Sequence, residues 1–434
     1  MSISGFKTIS LPLSQLSLSA VLKCGQSFLW TVLTPLTTDT PAHSSDVPST
    51  HTEYRLCLRD RVICLRQTPD ALFYRSVFPE AHCSESVQLR RDEETLEWLK
   101  DYFQLDIDLL DLYKQWADKD KVFAKFQDRF QGIRMLRQDP WENLISFICS
   151  SNNNISRITK MVQSLCTQYS PPLLDLEHPF LPNKMLTYHP FPPPSALADP
   201  SVGSQLRGLG FGYRADFVQR TAKMLVDFHG SNKVTTYGKP LEASEVWLRQ
   251  LRNVSTEEAR QELLKFIGVG RKVADCVLLM SLDKKEVVPV DTHVHQIAIK
   301  HYGLKGSVNG KATMTPKLYE ETNSRFFSIW GDYAGWAHSV LFTADLKSFA
   351  LYGLSPNSSP SLNIPSPKKK GAKSVNINDN LLPTPPMTPS PSKRKSETEL
   401  SCALGAPSTP ISQLCIDTAE TLSLIDRVKR RRRV

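Results

Sequence analysis

The sequence predicts an α+β fold, in which an N-terminal antiparallel β-sheet domain packs on an all-helical domain and a disordered C-terminal tail follows. Three observations predict it. Short stretches near the N-terminus alternate apolar and polar residues, the apolar period changes to three and four residues from about Asp92, and after Leu354 the composition turns to Ser, Pro, Lys and Asn with few aromatics. A chain of 434 residues can bury two or three ordinary cores, and the divisions read from these changes are 1–100, 101–350 and 351–434.

Within the first division, Tyr54-Arg55-Leu56-Cys57-Leu58 and Val62-Ile63-Cys64-Leu65 read as strands separated by turn-rich sequence. The Ser/Thr/Pro/Asp stretch at 34–52 reads as a mobile surface loop inserted in that sheet. From Asp92 to Leu346 helical spacing dominates, as in WENLISFICSSNNNISRITKMVQSLC and SRFFSIWGDYAGWAHSVLFTADLKSF. Prolines crowd Ser170–Pro200, which is therefore expected to be an irregular crossing between helices. The tail cannot offset its ordering entropy by burial.

The net charge of +9 favours a polyanionic partner, but its location qualifies that reading. Residues 351–434 hold 13 Lys/Arg against 6 Asp/Glu, a surplus of seven, which leaves two for the first 350 residues. The body is thus expected to meet DNA through a local basic surface. Nine cysteines without paired C-x-x-C spacing indicate free thiols in a reducing compartment, not a zinc finger or a disulfide framework. The N-terminus lacks a basic segment followed by a long apolar one, and no run of about 18 apolar residues occurs, so a soluble intracellular protein without a membrane partner is expected.

The most informative stretch is Leu263-Leu264-Lys265-Phe266-Ile267-Gly268-Val269-Gly270-Arg271-Lys272-Val273-Ala274-Asp275-Cys276. A helix is expected to end at Ile267. Gly268 and Gly270 then allow a tight turn, and a second helix opens with free N–H groups that suit a DNA phosphate. This is a helix-hairpin-helix pattern, although any αα-turn can carry Gly-x-Gly. Lys272 falls in the first turn of the second helix, where the dipole disfavours a charged ammonium and so favours a nucleophilic amine. A solvated surface lysine is the plainer alternative.

Val288-Pro289-Val290 is extended, and Asp291 follows where the next helix begins, so it can cap that helix and point a carboxylate into a cleft. Such a carboxylate stabilises an oxocarbenium-like sugar. A plain N-cap is the alternative, and both can hold. Asp291, His293 and His295 also suggest a metal, but ring positions two apart on a helix point about 200° from each other and do not converge. His293 is read as a pocket neighbour or a DNA contact, and no metal is expected.

Ile267–Cys276 paired with Val288–His293 resembles the endonuclease III superfamily of base-excision glycosylases, and within it the eukaryotic 8-oxoguanine DNA glycosylase/lyases. Further stretches agree in order: Cys24-Gly25-Gln26-Ser27-Phe28-Leu29-Trp30, Phe147–Arg157, Gly210-Phe211-Gly212-Tyr213-Arg214-Ala215 and Gly335–Phe342. The resemblance spans roughly residues 5 to 350 and implies a helix-hairpin-helix glycosylase domain acting on duplex DNA that contains oxidised guanine. It implies that Lys272 attacks the sugar and forms a Schiff base, with Asp291 assisting base loss. Gly25 would accept the N7 hydrogen that distinguishes 8-oxoguanine, while Cys276 and Phe342 would sandwich the extruded base. Asn152, Tyr213, Arg157 and Arg214 would fill the gap in the duplex and hold the orphan cytosine, since extrusion costs a few kcal/mol. The polar run Asn152-Asn153-Asn154 can also be a plain helix interruption.

One departure stands out. His338 occupies the position where the family commonly reads the base edge with glutamine, and a neutral imidazole cannot both accept and donate through one amide. A related glycosylase with a shifted base preference, or a noncatalytic DNA binder using the hairpin as a clamp, are the competing readings. The four-cysteine cluster of endonuclease III is missing, so neither an iron–sulfur centre nor another cofactor is expected. Lys368–Lys370, Lys393–Lys395 and Lys429–Arg433 are basic runs of the kind an import receptor reads, which points to the nucleus; Ser366, Thr384, Thr388 and Ser390 precede prolines and could be phosphorylated beside them. A monomer is expected.

Overall fold

The structure is a computed structural model that describes residues 5–35, 52–80, 84–236, 239–306 and 314–354. Most of the expected 34–52 insertion and the tail beyond Leu354, with its basic runs and Ser/Thr-Pro sites, lie outside the described residues.

Strands β1 (Lys7–Ser10), β2 (Thr31–Leu33), β3 (Glu53–Cys57), β4 (Val62–Gln67) and β5 (Ala71–Val77) form one antiparallel sheet in the order β1-β5-β4-β3-β2, with the short helix α1 (Leu18–Val21) between the first two. Strand alternation sends Tyr54, Leu56, Ile63, Leu65, Leu72 and Tyr74 to one face, where they pack with Trp30 and with Leu99, Tyr102 and Phe103 at the end of α2 (Glu85–Tyr102). Trp30 Nε1 donates to Tyr102 Oη at 2.9 Å, which satisfies the two polar atoms of this aromatic corner. Helix α2 starts at Glu85, ahead of the expected change near Asp92, because its first turns bury almost nothing and present no apolar stripe.

The helical part runs through α3 (Leu109–Lys119), α4 (Pro140–Ile148) and α5 (Ile155–Tyr169). WENLISFICSSNNNISRITKMVQSLC is thus two helices and not one. Ser150 and Ser151 hydroxyls donate to the carbonyls of Phe147 and Ile148, Asn152 adopts φ +48°, and Asn154 caps α5 by accepting from Arg157 N at 3.0 Å. Ser170–Pro200, expected to be irregular, instead holds a hairpin of β6 (Leu174–Glu177) and β7 (Met185–Tyr188), then α6 (Pro194–Ala198). The prolines flank the strands or sit in their turn, and Leu174, Leu176, Leu186 and Tyr188 cover Val62 and Cys64 on the second face of the sheet. After α7 (Val202–Gly208) and α8 (Arg214–His229) a second hairpin, β8 (Lys233–Thr236) and β9 (Lys239–Glu242), interrupts the helical pattern with strands too short to register as a period.

The remaining helices are α9 (Ala243–Gln250), α10 (Thr256–Leu264), α11 (Arg271–Ser281), α12 (Thr292–Tyr302), α13 (Pro316–Trp330) and α14 (Ala334–Asp345). Helix α10 stops at Leu264 and not at Ile267. Two apolar cores result. One joins α4, α5 and α8 to Val273, Ala274, Cys276, Val277 and Leu278 of α11; the other joins α3, α12, α13 and α14 and takes Leu279 of the same helix. Helix α11 is therefore buried on both sides, at about 1.5–3 kcal/mol for each large side chain, and its N-terminal turn emerges between the cores. Among the described residues no helix is long and apolar enough to cross a membrane.

Candidate active site

Gly268 has φ +82°, and a Cβ there would lie 2.5 Å from the Phe217 ring, so only glycine makes this turn. Gly270 caps α11 with nothing within 4 Å of where a Cβ would stand. The first N–H groups of α11 thus face open space, as a bound phosphate requires.

That space is a groove of about 1040 Å³ lined by the 150–154 turn, Arg157, the hairpin and the start of α12. A smaller pocket of about 70 Å³ lies among Gly25, Phe147, Cys276, His338 and Phe342. Lys272 and Asp291 line both spaces. Lys272 is half-buried; its Nζ donates to Ser150 Oγ at 3.2 Å and lies 5.0 Å from the centre of the Phe147 ring. Burial pushes the neighbouring Cys276 thiol up to about 11, against the opposing pull of Lys272, so Cys276 stays protonated and acts as a soft apolar wall. Asp291 Oδ1 accepts from His293 N and Val294 N, each at 2.9 Å, and is the N-cap of α12. Two helix N-termini, one bearing an amine and the other a carboxylate, meet at one cleft.

A buried network spans the interval between them. Asp275, fully buried, accepts from Arg260 Nε at 2.8 Å, Arg271 Nε at 3.0 Å and Tyr319 Oη at 2.6 Å, while Tyr319 Oη accepts from Val290 N at 3.1 Å. One hydroxyl thereby joins the helix of Lys272 to the residue before Asp291. Sequence reading missed Tyr319, Ser150 and Phe147. Nothing local marks Tyr319, 44 positions from Asp275, whereas Phe147 and Ser150 lay inside the Phe147–Arg157 stretch already singled out.

Gly25, with φ +89°, stands against Ile155 at the pocket wall. His338 is 6% exposed, neither ring nitrogen meets the geometry of a hydrogen bond, and burial pulls its imidazole down to about 4, so it faces the pocket uncharged. Phe342 packs edge-on to His293 at 5.1 Å. His293 Nε2 lies 3.2 Å from Asp345 Oδ2, while His295 is buried with Nδ1 3.5 Å from Thr322 Oγ1; the two rings diverge. Among the described residues no His/Cys/Asp/Glu group is arranged to hold a metal.

Asn152 and Arg157 line the groove. Tyr213, half-exposed, donates from Oη to Ser151 O at 3.0 Å. Arg214 is buried, its guanidinium bonded to the carbonyls of Ser151 and Asn152, and Arg157 Nη2 donates to Gly210 O at 3.0 Å. The four residues are gathered around one turn, but Arg214 holds that turn from beneath and must exchange its carbonyl partners before it meets a base.

Residues 8–144 match the family model described as 8-oxoguanine DNA glycosylase, N-terminal domain, and 145–322 match that of the HhH-GPD superfamily base excision DNA repair protein. The N-glycosylase/DNA lyase of Saccharomyces cerevisiae is 34% identical over 79% of this chain and 86% of its own length. The chain belongs to the 8-oxoguanine DNA glycosylase family. A family member of Arabidopsis thaliana, N-glycosylase/DNA lyase OGG1, is 37% identical over 68% of this chain and 72% of its own. The fold is that of the Clostridium acetobutylicum 8-oxoguanine glycosylase/lyase solved with DNA containing cytosine opposite 8-oxoG, at TM-score 0.57 and 23% identity over 79% of this chain and 95% of that one. It is also that of the 3-methyladenine DNA glycosylase of Archaeoglobus fulgidus, at TM-score 0.53 and 19% identity over 80% and 100%.

Two predictions follow from this geometry. Tyr319→Phe leaves Val290 N–H without its acceptor and frees the Asp291 segment, so single-turnover base release should slow about tenfold while duplex affinity stays within about twofold. An unchanged rate would remove Tyr319 from the positioning of the site. His338 has a folded value of about 4 below an unfolded 6.5, so the unfolded chain takes up a proton first and stability falls as pH drops through that interval. His338→Gln should flatten the acid side of a stability–pH curve from chemical denaturation; a superimposable curve would contradict this burial.

Proposed function

We propose that this member of the 8-oxoguanine DNA glycosylase family excises 8-oxoguanine, paired with cytosine, from duplex DNA and then cleaves the strand, with Lys272 as nucleophile. The observation that supports this most strongly is that Lys272 and Asp291 line both a groove open to a phosphate backbone and a pocket walled by Cys276, His338 and Phe342. In this reading the Lys272 amine bonds to C1′ as the C1′–N9 bond breaks; the base leaves with the electron pair and takes up a proton, and the amine loses one. Ring opening gives a Schiff base. Loss of a proton from C2′ then expels the 3′ phosphate by β-elimination. Asp291, fixed by its cap bonds, stabilises the cationic sugar through its charge.

Gly25, Cys276, His338 and Phe342 receive the extruded base. Asn152, Tyr213, Arg157 and Arg214 close the gap it leaves, Gly268 and Gly270 admit the backbone to the α11 terminus, and His293 supports Phe342. His338, uncharged, offers the base edge a single-atom contact in place of an amide, so its substitution by Gln tests base preference separately from chemistry. The chain works as a monomer, without a cofactor, and its basic runs take it to the nucleus through an import receptor. A fluorescent fusion ending at residue 354 should therefore lose nuclear accumulation; retained accumulation would place the address elsewhere.

On an 8-oxoguanine:cytosine duplex, Lys272→Gln should abolish strand cleavage and lower base release by at least about a thousandfold, and Asp291→Asn should slow release while leaving duplex binding intact. Full cleavage by Lys272→Gln would overturn the assignment, and no release by the wild-type chain would overturn the activity.

A further inference from the structure

Away from the catalytic cleft, the second face of the sheet carries a cluster of charges. Strand register sets Arg55, Cys64 and Arg75 in line across β3, β4 and β5, with Glu53 and Arg66 on the same face. A sheet face covered by protein is ordinarily apolar. This one, beneath the β6–β7 hairpin, presents three guanidiniums and one carboxylate to a cavity of about 770 Å³ closed by Phe6, His178 and Phe180.

The charges do not balance. Glu53, fully buried, receives Arg55 Nε on Oε1 at 2.5 Å and Arg66 Nη2 on Oε2 at 2.7 Å, so both of its oxygens are occupied. Arg75 makes no ion pair among the described residues, and its buried Nε lacks an acceptor that meets hydrogen-bond geometry. The Arg75 guanidinium lies 5.1 Å from the Phe6 ring and hydrogen-bonds the buried Cys64 sulfur, so it is held in place without a carboxylate, whereas Arg66, 5.0 Å from the same ring, is directed by Glu53. His178 adds no balancing group: burial, then Lys184 and Arg55, pull its value down, and its Nδ1 accepts from Phe180 N at 3.2 Å. Glu177 stands exposed at the rim, its Oε1 accepting from Asn183 N.

We propose that this cavity binds a phosphate monoester. Three guanidiniums face the buried Glu53 and the exposed, solvent-screened Glu177, so Arg75 is left without a carboxylate partner, and a phosphate group of about −1.5 to −2 offers it more charge and more acceptor oxygens than a single carboxylate does. Strands about 4.8 Å apart place the forks around an anion with several acceptor oxygens, where a tetrahedral group can meet Arg75 and the unused N–H groups of Arg55 and Arg66 together. The apolar walls suit the group that bears the phosphate.

Calorimetric titration of the full chain with inorganic phosphate, O-phosphoserine and adenosine monophosphate tests this, with Arg75→Gln as the variant. Arg75 lies on a half-exposed strand position outside the catalytic machinery, so Arg75→Gln should melt within a few degrees of the wild type and excise normally. Binding by the wild type that falls at least tenfold in Arg75→Gln supports the site. A preference among the three probes then identifies the bearer as a free ion, a peptide or a nucleotide. No binding at millimolar probe overturns the proposal, as does binding untouched by Arg75→Gln, which would assign the anion to the DNA groove. Should Arg75→Gln misfold, Arg75→Lys, which keeps charge but loses the fork, must still weaken binding for the site to stand.

Discussion

Helix α11 has to be buried along its length and open at its first turn, and the site depends on that combination. Its apolar residues between Val273 and Leu279 are shared between two cores, which fixes the helix against rotation and leaves Arg271 and Lys272 at the mouth of the groove. Rigid burial of the rest fixes the base of the Lys272 side chain, and the approach of Asp291 to it is set separately. That approach is governed by Asp275 and Tyr319, which bond helix α11 to Val290 from inside the protein. The constraint is cooperative: Asp275 is fully buried, and each of its three donors has a second partner, Glu257 for Arg260, Glu320 for Arg271 and Val290 for Tyr319.

The electrostatics of the cleft follow from the same geometry. Two helix N-termini point into it, which attracts phosphate, while Asp291 answers part of the field of α12 through its cap bonds and keeps its charge directed at the space beside Lys272. Cys276 and His338 stay uncharged next to this pair because burial penalises their ionised forms. The pocket is thus neutral and soft where a base would lie and charged where a sugar and phosphates would lie.

Much of this was legible in the residues. Glycines at 268 and 270, the lysine two residues further, and an aspartate after Val-Pro-Val each have a local reason that sequence displays: a positive φ, an open approach, a cap. Sheet strands showed through their alternation, and the Asn152-Asn153-Asn154 run was readable as a helix interruption. Long-range pairings left no such trace. Tyr319 reaches Asp275 only because α13 folds back, the β6–β7 hairpin is defined by what it covers on the sheet, and Arg75 looks like an ordinary strand residue until its neighbours prove to be two more arginines. Nor does sequence show that Arg214, whose role is read from the resemblance, is bonded in the free chain to the carbonyls of the turn whose shape it supports.

The central claim is chemical: the amine at position 272, and no other, bonds to the sugar. Reduction with borohydride during turnover of an oxidised duplex, followed by proteolysis and mass spectrometry, reads that bond directly. A deoxyribose-derived mass on the peptide that contains Lys272 is the predicted result. The same mass on another lysine or on the N-terminal amine, with the Lys272 peptide unmodified, would contradict the account.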